Sequence, residues 1–185
     1  NTNTCLAFIL SSIAGFSTII GAFIIFIPKK RTLNFLIGGI AFASAVMFFL
    51  SIFDLIPESI SFLNSTYKYI PTILICMISV SFGVCISIII DKLFPNTLNE
   101  KTLYKLGLIT MIGIMIHNIP EGIATFITTN ENFKLGLSIT IAITMHNIPE
   151  GISIALPIYY HTKSKKKAFL YTSICAISEP IGAII

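Results

Sequence analysis

Long apolar segments alternate with short polar connectors along the whole sequence. A helix that crosses a bilayer needs about 20 mostly apolar residues. Six segments meet this requirement and predict membrane-spanning helices over residues 5–27, 33–56, 70–90, 106–128, 134–158 and 168–185. The connectors are too short for anything except antiparallel neighbours in a bundle. We therefore predict an all-α polytopic transmembrane helix bundle, forming a single domain over residues 1–185.

The composition supports a membrane location. The chain is 55% hydrophobic and 11% charged, whereas a soluble domain carries about 25% charged residues. Its mean hydropathy is +0.90. The lipid bilayer is therefore a predicted partner. We expect no nucleic-acid partner, since the net charge of +4 reports the distribution of basic residues among connectors.

That distribution predicts an orientation. Of the 12 basic residues, only Lys68 and Lys134 lie on the side of the second and fourth connectors. The others lie in the first, third and fifth connectors: Lys29, Lys30, Arg31, Lys92, Lys101, Lys105, Lys163, Lys165, Lys166 and Lys167. Cytoplasmic loops carry such an excess of basic residues. We predict a multi-pass protein of the cell (inner) membrane with its amino terminus outside.

A repeated hexapeptide carries the chemistry. His-Asn-Ile-Pro-Glu-Gly occurs at residues 117–122 and again, unchanged, at residues 146–151. Each copy lies near the middle of a predicted span, and the two copies contain two of the three histidines of the chain. Imidazole, amide and carboxylate groups are costly in hydrocarbon unless they are compensated. A divalent metal ion would compensate all three groups.

Helical spacing predicts two metal sites. A helix turns by about 100° per residue, so the His, Asn and Glu of each copy point into one sector. If the helices face each other, the two glutamates lie in the centre, where each can bridge two ions. One site would contain His117, Glu121, His146 and Glu150, and the other Asn118, Glu121, Asn147 and Glu150. The first set suits zinc, and the harder second set suits iron(II) or manganese.

Each copy also contains a proline. Pro120 and Pro149 would free the carbonyl groups of Ile116 and Met145 and kink the fourth and fifth helices. Such irregular backbone is tolerated at membrane depth where it lines a cavity. Because consecutive helices run antiparallel, the copies imply a pseudo-two-fold axis in the membrane plane. Inverted repeats with broken helices are typical of secondary transporters.

Three further acidic residues enter the prediction. Glu179 lies in the sixth span, and an uncompensated acid there costs about 3 kcal/mol, or about 9 kcal/mol together with Glu121 and Glu150. Asp54 and Glu58 lie at the outer end of the second span. They either gather cations on the transport pathway or are two solvated acids at a helix end, and the sequence leaves both readings open.

These motifs resemble the ZIP family of divalent metal transporters, in particular its bacterial zinc-uptake branch. The resemblance covers essentially the whole chain. It implies one metal site made by His117, Glu121, His146 and Glu150, and a second made by Asn118, Glu121, Asn147, Glu150 and Glu179. The family has eight spanning helices, so we expect two more beyond the six found here.

We predict a secondary transporter, not an enzyme, for zinc and related divalent ions (iron, manganese, cobalt and cadmium). Zinc and iron(II) would be transported ions, and we expect no prosthetic group. A homo-oligomer is compatible with the sequence. The alternative is an intramembrane metal-dependent hydrolase, but such enzymes show His-Glu-x-x-His. A bis-histidine haem protein fits the flanking carboxylates poorly, and a structural bundle leaves the buried acids unexplained.

Overall fold

Every regular element in the described residues is helical. The computed structural model describes residues 2–27, 32–93 and 101–185, without the side chains of Thr2, Asp54, Leu55, Glu58, Ile90, Asp91, Leu93, Lys101 and Thr102. In order these are α1 (Thr2–Ala22), a 3-10 turn (Phe23–Phe26), α2 (Leu33–Leu50), a π-helical segment (Ser51–Leu55), α3 (Ile56–Asn64), α4 (Tyr69–Leu93), α5 (Lys101–Glu131), α6 (Phe133–Thr162), α7 (Lys165–Ala176) and α8 (Ser178–Gly182). The predicted all-α bundle is confirmed.

Five helical stretches are long and apolar enough to cross a membrane. They are Asn3–Phe26, Leu33–Phe53, Tyr69–Ile89, Leu103–Glu131 and Phe133–Thr162. These stretches correspond to the first five predicted spans. The sixth predicted span is occupied by α7 and α8, which meet at Ile177.

Several connectors are shorter than predicted. Helix α3 covers much of the connector expected at residues 57–69, and only Asn132 separates α5 from α6. The side chain of Asn132 accepts a hydrogen bond from the backbone N–H of Leu135 at 3.2 Å and so caps α6. The predicted boundaries fell short because hydropathy reports the apolar part of a helix, whereas capping residues determine where it ends.

Helix α6 is the centre of the bundle. It packs against α1, α2, α5 and α7, and nearly every residue from His146 to Tyr159 is buried. Helix α4, in contrast, is exposed over most of its length. The second hexapeptide thus lies in the most buried part of the fold.

The helix ends meet as an antiparallel bundle requires. The Tyr160 hydroxyl donates to the Thr32 carbonyl at 2.6 Å, and the hydroxyl oxygens of Tyr104 and Tyr171 lie 2.6 Å apart. All four residues lie in or beside the three lysine-rich connectors. These connectors are therefore on one side of the bundle.

Glycine allows the motif helices to approach their neighbours closely. A Cβ atom added at Gly122 would collide with the carbonyl group of Glu179, and one added at Gly151 would collide with that of Thr18. Gly122 and Gly151 are the last residues of the two hexapeptides. The same motif position thus makes backbone contact with α8 in the first copy and with α1 in the second.

The break between α7 and α8 has a local cause. Pro180 lacks the N–H group that would donate to the carbonyl of Ala176, one turn earlier. Helix α7 ends at Ala176, and α8 begins at Ser178. Pro120 and Pro149 lie inside continuous helices. The helix is therefore interrupted beside Glu179 and not at the repeated motifs.

Candidate metal centre

The two hexapeptides face each other across the contact between α5 and α6. His146, Asn147 and Glu150 are buried. In the first copy Asn118 is fully buried, whereas the His117 side chain is 45% exposed. The centre therefore has a closed side near the amides and a more accessible side at His117.

One carboxylate oxygen joins the two histidines. Oε1 of Glu121 lies 2.9 Å from Nε2 of His117 and 2.9 Å from Nε2 of His146. Oε1 of Glu150 lies 3.9 Å from Nε2 of His117. The structure thus brings together all four side chains of the first predicted site.

This cluster has the composition and size of a metal site. One ligand atom from each of His117, Glu121 and His146 lies within 4.8 Å of the others. A tetrahedral zinc ion with bonds of about 2.0 Å would hold its ligand atoms about 3.3 Å apart. The two 2.9 Å contacts of Glu121 are within a few tenths of an ångström of this spacing.

A second polar group lies on the closed side. The Nδ2 atom of Asn147 donates to Oε2 of Glu179 at 2.8 Å and to the carbonyl of Ala14 at 2.8 Å. Glu179 is fully buried. The structure thus joins the amide of the second hexapeptide to the acid of the sixth predicted span.

Several other buried polar atoms at the centre lack a hydrogen-bond partner. Among the buried side chains of the described residues, those without a hydrogen bond include Oε2 of Glu121, Oε2 of Glu150, Oε1 of Glu179, Oδ1 of Asn147 and both polar atoms of Asn118. A buried polar atom left unpaired costs about 1–3 kcal/mol. These atoms belong to all five residues of the second predicted site, and all the oxygens are acceptors that a cation could bind.

A cavity of about 200 Å³ reaches the histidine side of the centre. It is lined by Met47, Leu50, Ser51, Gly113, Ile114, His117, His146 and Glu150. Ser51 begins the π-helical segment that follows α2, and such segments are frequent at functional sites. The cavity provides space beside His117, His146 and Glu150.

Comparison with known proteins places the chain. The family model described as ZIP Zinc transporter matches residues 97–185. A zinc transporter ZupT of Campylobacter jejuni is 36% identical, over 97% of this chain and 74% of the relative. A zinc transporter ZupT of Streptococcus mutans is 39% identical, over 97% of this chain and 73% of the relative. The chain belongs to the ZIP family.

Membership of the ZIP family confirms the resemblance predicted from the motifs. ZIP proteins are transporters, so the chain is a multi-pass membrane transporter and not an enzyme, and the hydrolase alternative is not favoured. A zinc transporter ZupT of Clostridium perfringens matches at 37% identity, over 99% of this chain and 74% of the relative. No solved structure matches the chain.

The structure describes only the backbone of the two acids predicted at the outer mouth. Asp54 lies in the π-helical segment and Glu58 in α3, but their side chains lie outside the described part of the structure. Their role on the transport pathway stays a prediction.

Sequence reasoning missed several residues of the centre. The carbonyl of Ala14 was not predicted as a partner of Asn147, and Ser51 was not predicted to line the cavity. Alanine and serine are common in spanning helices, so neither residue gave a signal. A period of 3.6 among the small residues of the first span could have indicated the face that α1 turns to the motif helices.

Proposed function

We propose that this chain is a secondary transporter that carries zinc into the cytoplasm through a binuclear metal site at mid-membrane. One observation carries the proposal. Two imidazoles, two amides and three carboxylates converge inside an apolar bundle, and many of their buried atoms lack a protein partner. The partner that satisfies acceptor oxygens and imidazoles together is a metal cation.

The two sites would share Glu121 and Glu150. On the accessible side, His117 and His146 would complete a nitrogen-and-oxygen shell suited to zinc. On the closed side, Asn118, Asn147 and Glu179 would provide an all-oxygen shell for zinc, iron(II), manganese, cobalt or cadmium. The unpartnered Oε2 atoms of the two shared glutamates supply the second oxygen that a bridging carboxylate needs.

The names of the relatives support zinc as the cargo. The ZupT proteins of three bacteria are each called a zinc transporter. None of the residues proposed as ligands is a cysteine, and imidazole with carboxylate binds zinc with moderate affinity. A transport site must release its ion as well as bind it.

The ion would cross in three stages. It would lose water at the outer mouth, aided by Asp54 and Glu58, and bind between α5 and α6. It would leave toward the lysine-rich connectors. We place these connectors in the cytoplasm, with the protein in the inner membrane and its amino terminus outside. The glutamates would accept protons when the site is empty, which offers a route to proton coupling.

Zinc uptake into proteoliposomes tests the proposal. We expect uptake by the unmodified protein, and its loss in both Glu121→Ala and Glu150→Ala. Glu131→Ala is the matched control, because Glu131 is exposed at the end of the same helix α5. Zinc that binds to the unmodified protein but never crosses the membrane would contradict transport through this site. Uptake insensitive to an imposed pH gradient would contradict proton coupling alone.

A further inference from the structure

Helix α1 repeats, in its packing, the arrangement of α7 and α8. Thr18 and Gly21 are spaced as Glu179 and Gly182 are. The backbone of Thr18 contacts Gly151, and that of Glu179 contacts Gly122. Cβ atoms added at Gly21 and Gly182 would collide with the carbonyl groups of Ile148 and Ile119, which are matching residues of the two hexapeptides. Thr18 therefore occupies, beside the second copy, the place that Glu179 occupies beside the first.

The equivalence extends along both segments. Buried small residues recur at the same spacing, in the pairs Ala7 and Ala168, Ser11 and Thr172, Ala14 and Cys175, and Ser17 and Ser178. The hydroxyls of Ser17 and Ser178 each donate to the carbonyl three residues earlier, at 2.6 Å in both cases. The correspondence of Thr18 with Glu179 thus rests on sequence spacing, burial and hydrogen bonding together.

The two halves differ in one respect. Glu179 accepts a hydrogen bond from the amide of Asn147. Asn118 is the matching amide of the first copy, and its Nδ2 and Oδ1 atoms lack partners, as does Oγ1 of Thr18. Both Thr18 and Asn118 are 0% exposed. Water therefore does not reach the unpaired donor of Asn118 or the unpaired hydroxyl.

We propose that Thr18 is a positioning residue of the second metal site: when the ion is bound, its hydroxyl would accept a hydrogen bond from Nδ2 of Asn118 and turn Oδ1 of Asn118 toward the ion. This inference rests on the proposed function. It follows the arrangement at Asn147, where Nδ2 is held by protein acceptors and Oδ1 is left unpartnered. A threonine in the place of Glu179 also limits the buried carboxylates of the centre to Glu121, Glu150 and Glu179.

Zinc binding to the purified, detergent-solubilised protein tests the inference by titration calorimetry. Loss of a partner that orients a ligand typically lowers metal affinity about 10–100-fold. We expect Thr18→Val to weaken one of two bound ions at least tenfold and to leave the other within about twofold. Thr18→Ser, which keeps the hydroxyl, should retain wild-type affinity. His117→Ala should weaken the other ion and so identify the histidine side.

Thr72→Val is the matched control. Thr72 is also fully buried with an unpartnered hydroxyl, but it lies in α4, which contributes no residue to the predicted metal sites. In an Asn118→Ala background, Thr18→Val should have less than a twofold further effect, because the amide that it orients is gone. Thr18→Ala removes the hydroxyl without added volume and replaces Thr18→Val if that variant does not fold.

Two results would overturn the inference. If the unmodified protein binds two zinc ions and Thr18→Val binds both with unchanged affinity, Thr18 has no positioning role, and the proposed function stands. An undiminished effect of Thr18→Val in the Asn118→Ala background has the same meaning. If the unmodified protein binds fewer than two ions, the binuclear site itself is wrong, and the role of Thr18 falls with it.

Discussion

Oε1 of Glu121 lies 2.9 Å from Nε2 of His146 on the neighbouring helix. The other oxygen of the same carboxylate is buried and unpartnered. Glu121 thus presents one oxygen to both histidines and leaves the other without a protein partner. A carboxylate suits the proposed bridging role because it carries two acceptor oxygens.

Glu121→Gln is predicted to weaken both bound ions. The amide keeps the size of the side chain but removes its charge and one acceptor oxygen, so each shell loses one of the two glutamates that the sites would share. We expect zinc affinity to fall at least 100-fold by calorimetry, because a direct ligand is lost. Glu131→Gln makes the same change at the exposed end of α5 and should bind zinc normally. A Glu121→Gln protein that still binds two ions tightly would exclude a bridging role.

Asn147→Asp should make stability depend strongly on metal. The substitution removes the donor that now reaches Oε2 of Glu179 and the carbonyl of Ala14, and it places two carboxylates side by side. Without metal, their repulsion and the lost hydrogen bonds should lower the thermal midpoint in detergent. With zinc, the added charge should strengthen binding, and binding to the folded state raises stability.

The measurement for this variant is the zinc-induced rise in the midpoint. We expect a larger rise in Asn147→Asp than in the unmodified protein. Asn130→Asp is a suitable control, because Asn130 lies near the end of α5 and its amide donates only to the Phe126 carbonyl. An equal rise in all three proteins would show that Asn147 does not face a metal ion.

Gly122→Ala should destabilise the bundle although alanine favours helices. Its Cβ atom would collide with the carbonyl group of Glu179, and overpacking of this kind costs about 1–3 kcal/mol. Gly113→Ala lies in the same helix, where a Cβ atom meets nothing within 4 Å, and should stabilise it by about 0.5–1 kcal/mol. Thermal midpoints in detergent compare the two. Equal midpoints would mean that α5 and α8 are farther apart than described.

The orientation can be tested with single cysteines. Glu131→Cys and Lys166→Cys place thiols at exposed positions. Glu131 is the last residue of α5 and Lys166 lies at the start of α7, so the length of α6 separates them. In intact cells, with the native cysteines replaced, a membrane-impermeant maleimide should label Glu131→Cys only. Both should react after the membrane is permeabilised. Labelling of Lys166→Cys alone in intact cells would place the lysine-rich connectors outside.

Much of the centre was predictable because polar side chains are conspicuous inside apolar spans. The repeated hexapeptide and Glu179 could be selected from the sequence for that reason. The structure brings these residues together, and Oε1 of Glu121 lies 2.9 Å from Nε2 of each histidine of the repeated motifs.

Other features depend on packing and had no local signal. The hydrogen bond from Asn147 to Glu179 joins α6 to α8, which follows the break at Ile177, and a single proline does not predict how the chain continues beyond it. Threonine is frequent in spanning helices, so the sequence does not single out Thr18. Its correspondence with Glu179 depends on how α1 packs against Gly151. The π-helical turn at Ser51 likewise has no established sequence signature.

The connection between the two motif helices limits how the centre can open. Only Asn132 separates α5 from α6, and consecutive Cα atoms are about 3.8 Å apart. The two helices are thus held together at that end. If the two helices move apart, the gap between them grows with distance from Asn132. It is greatest near Lys101 and Thr162, the far ends of α5 and α6.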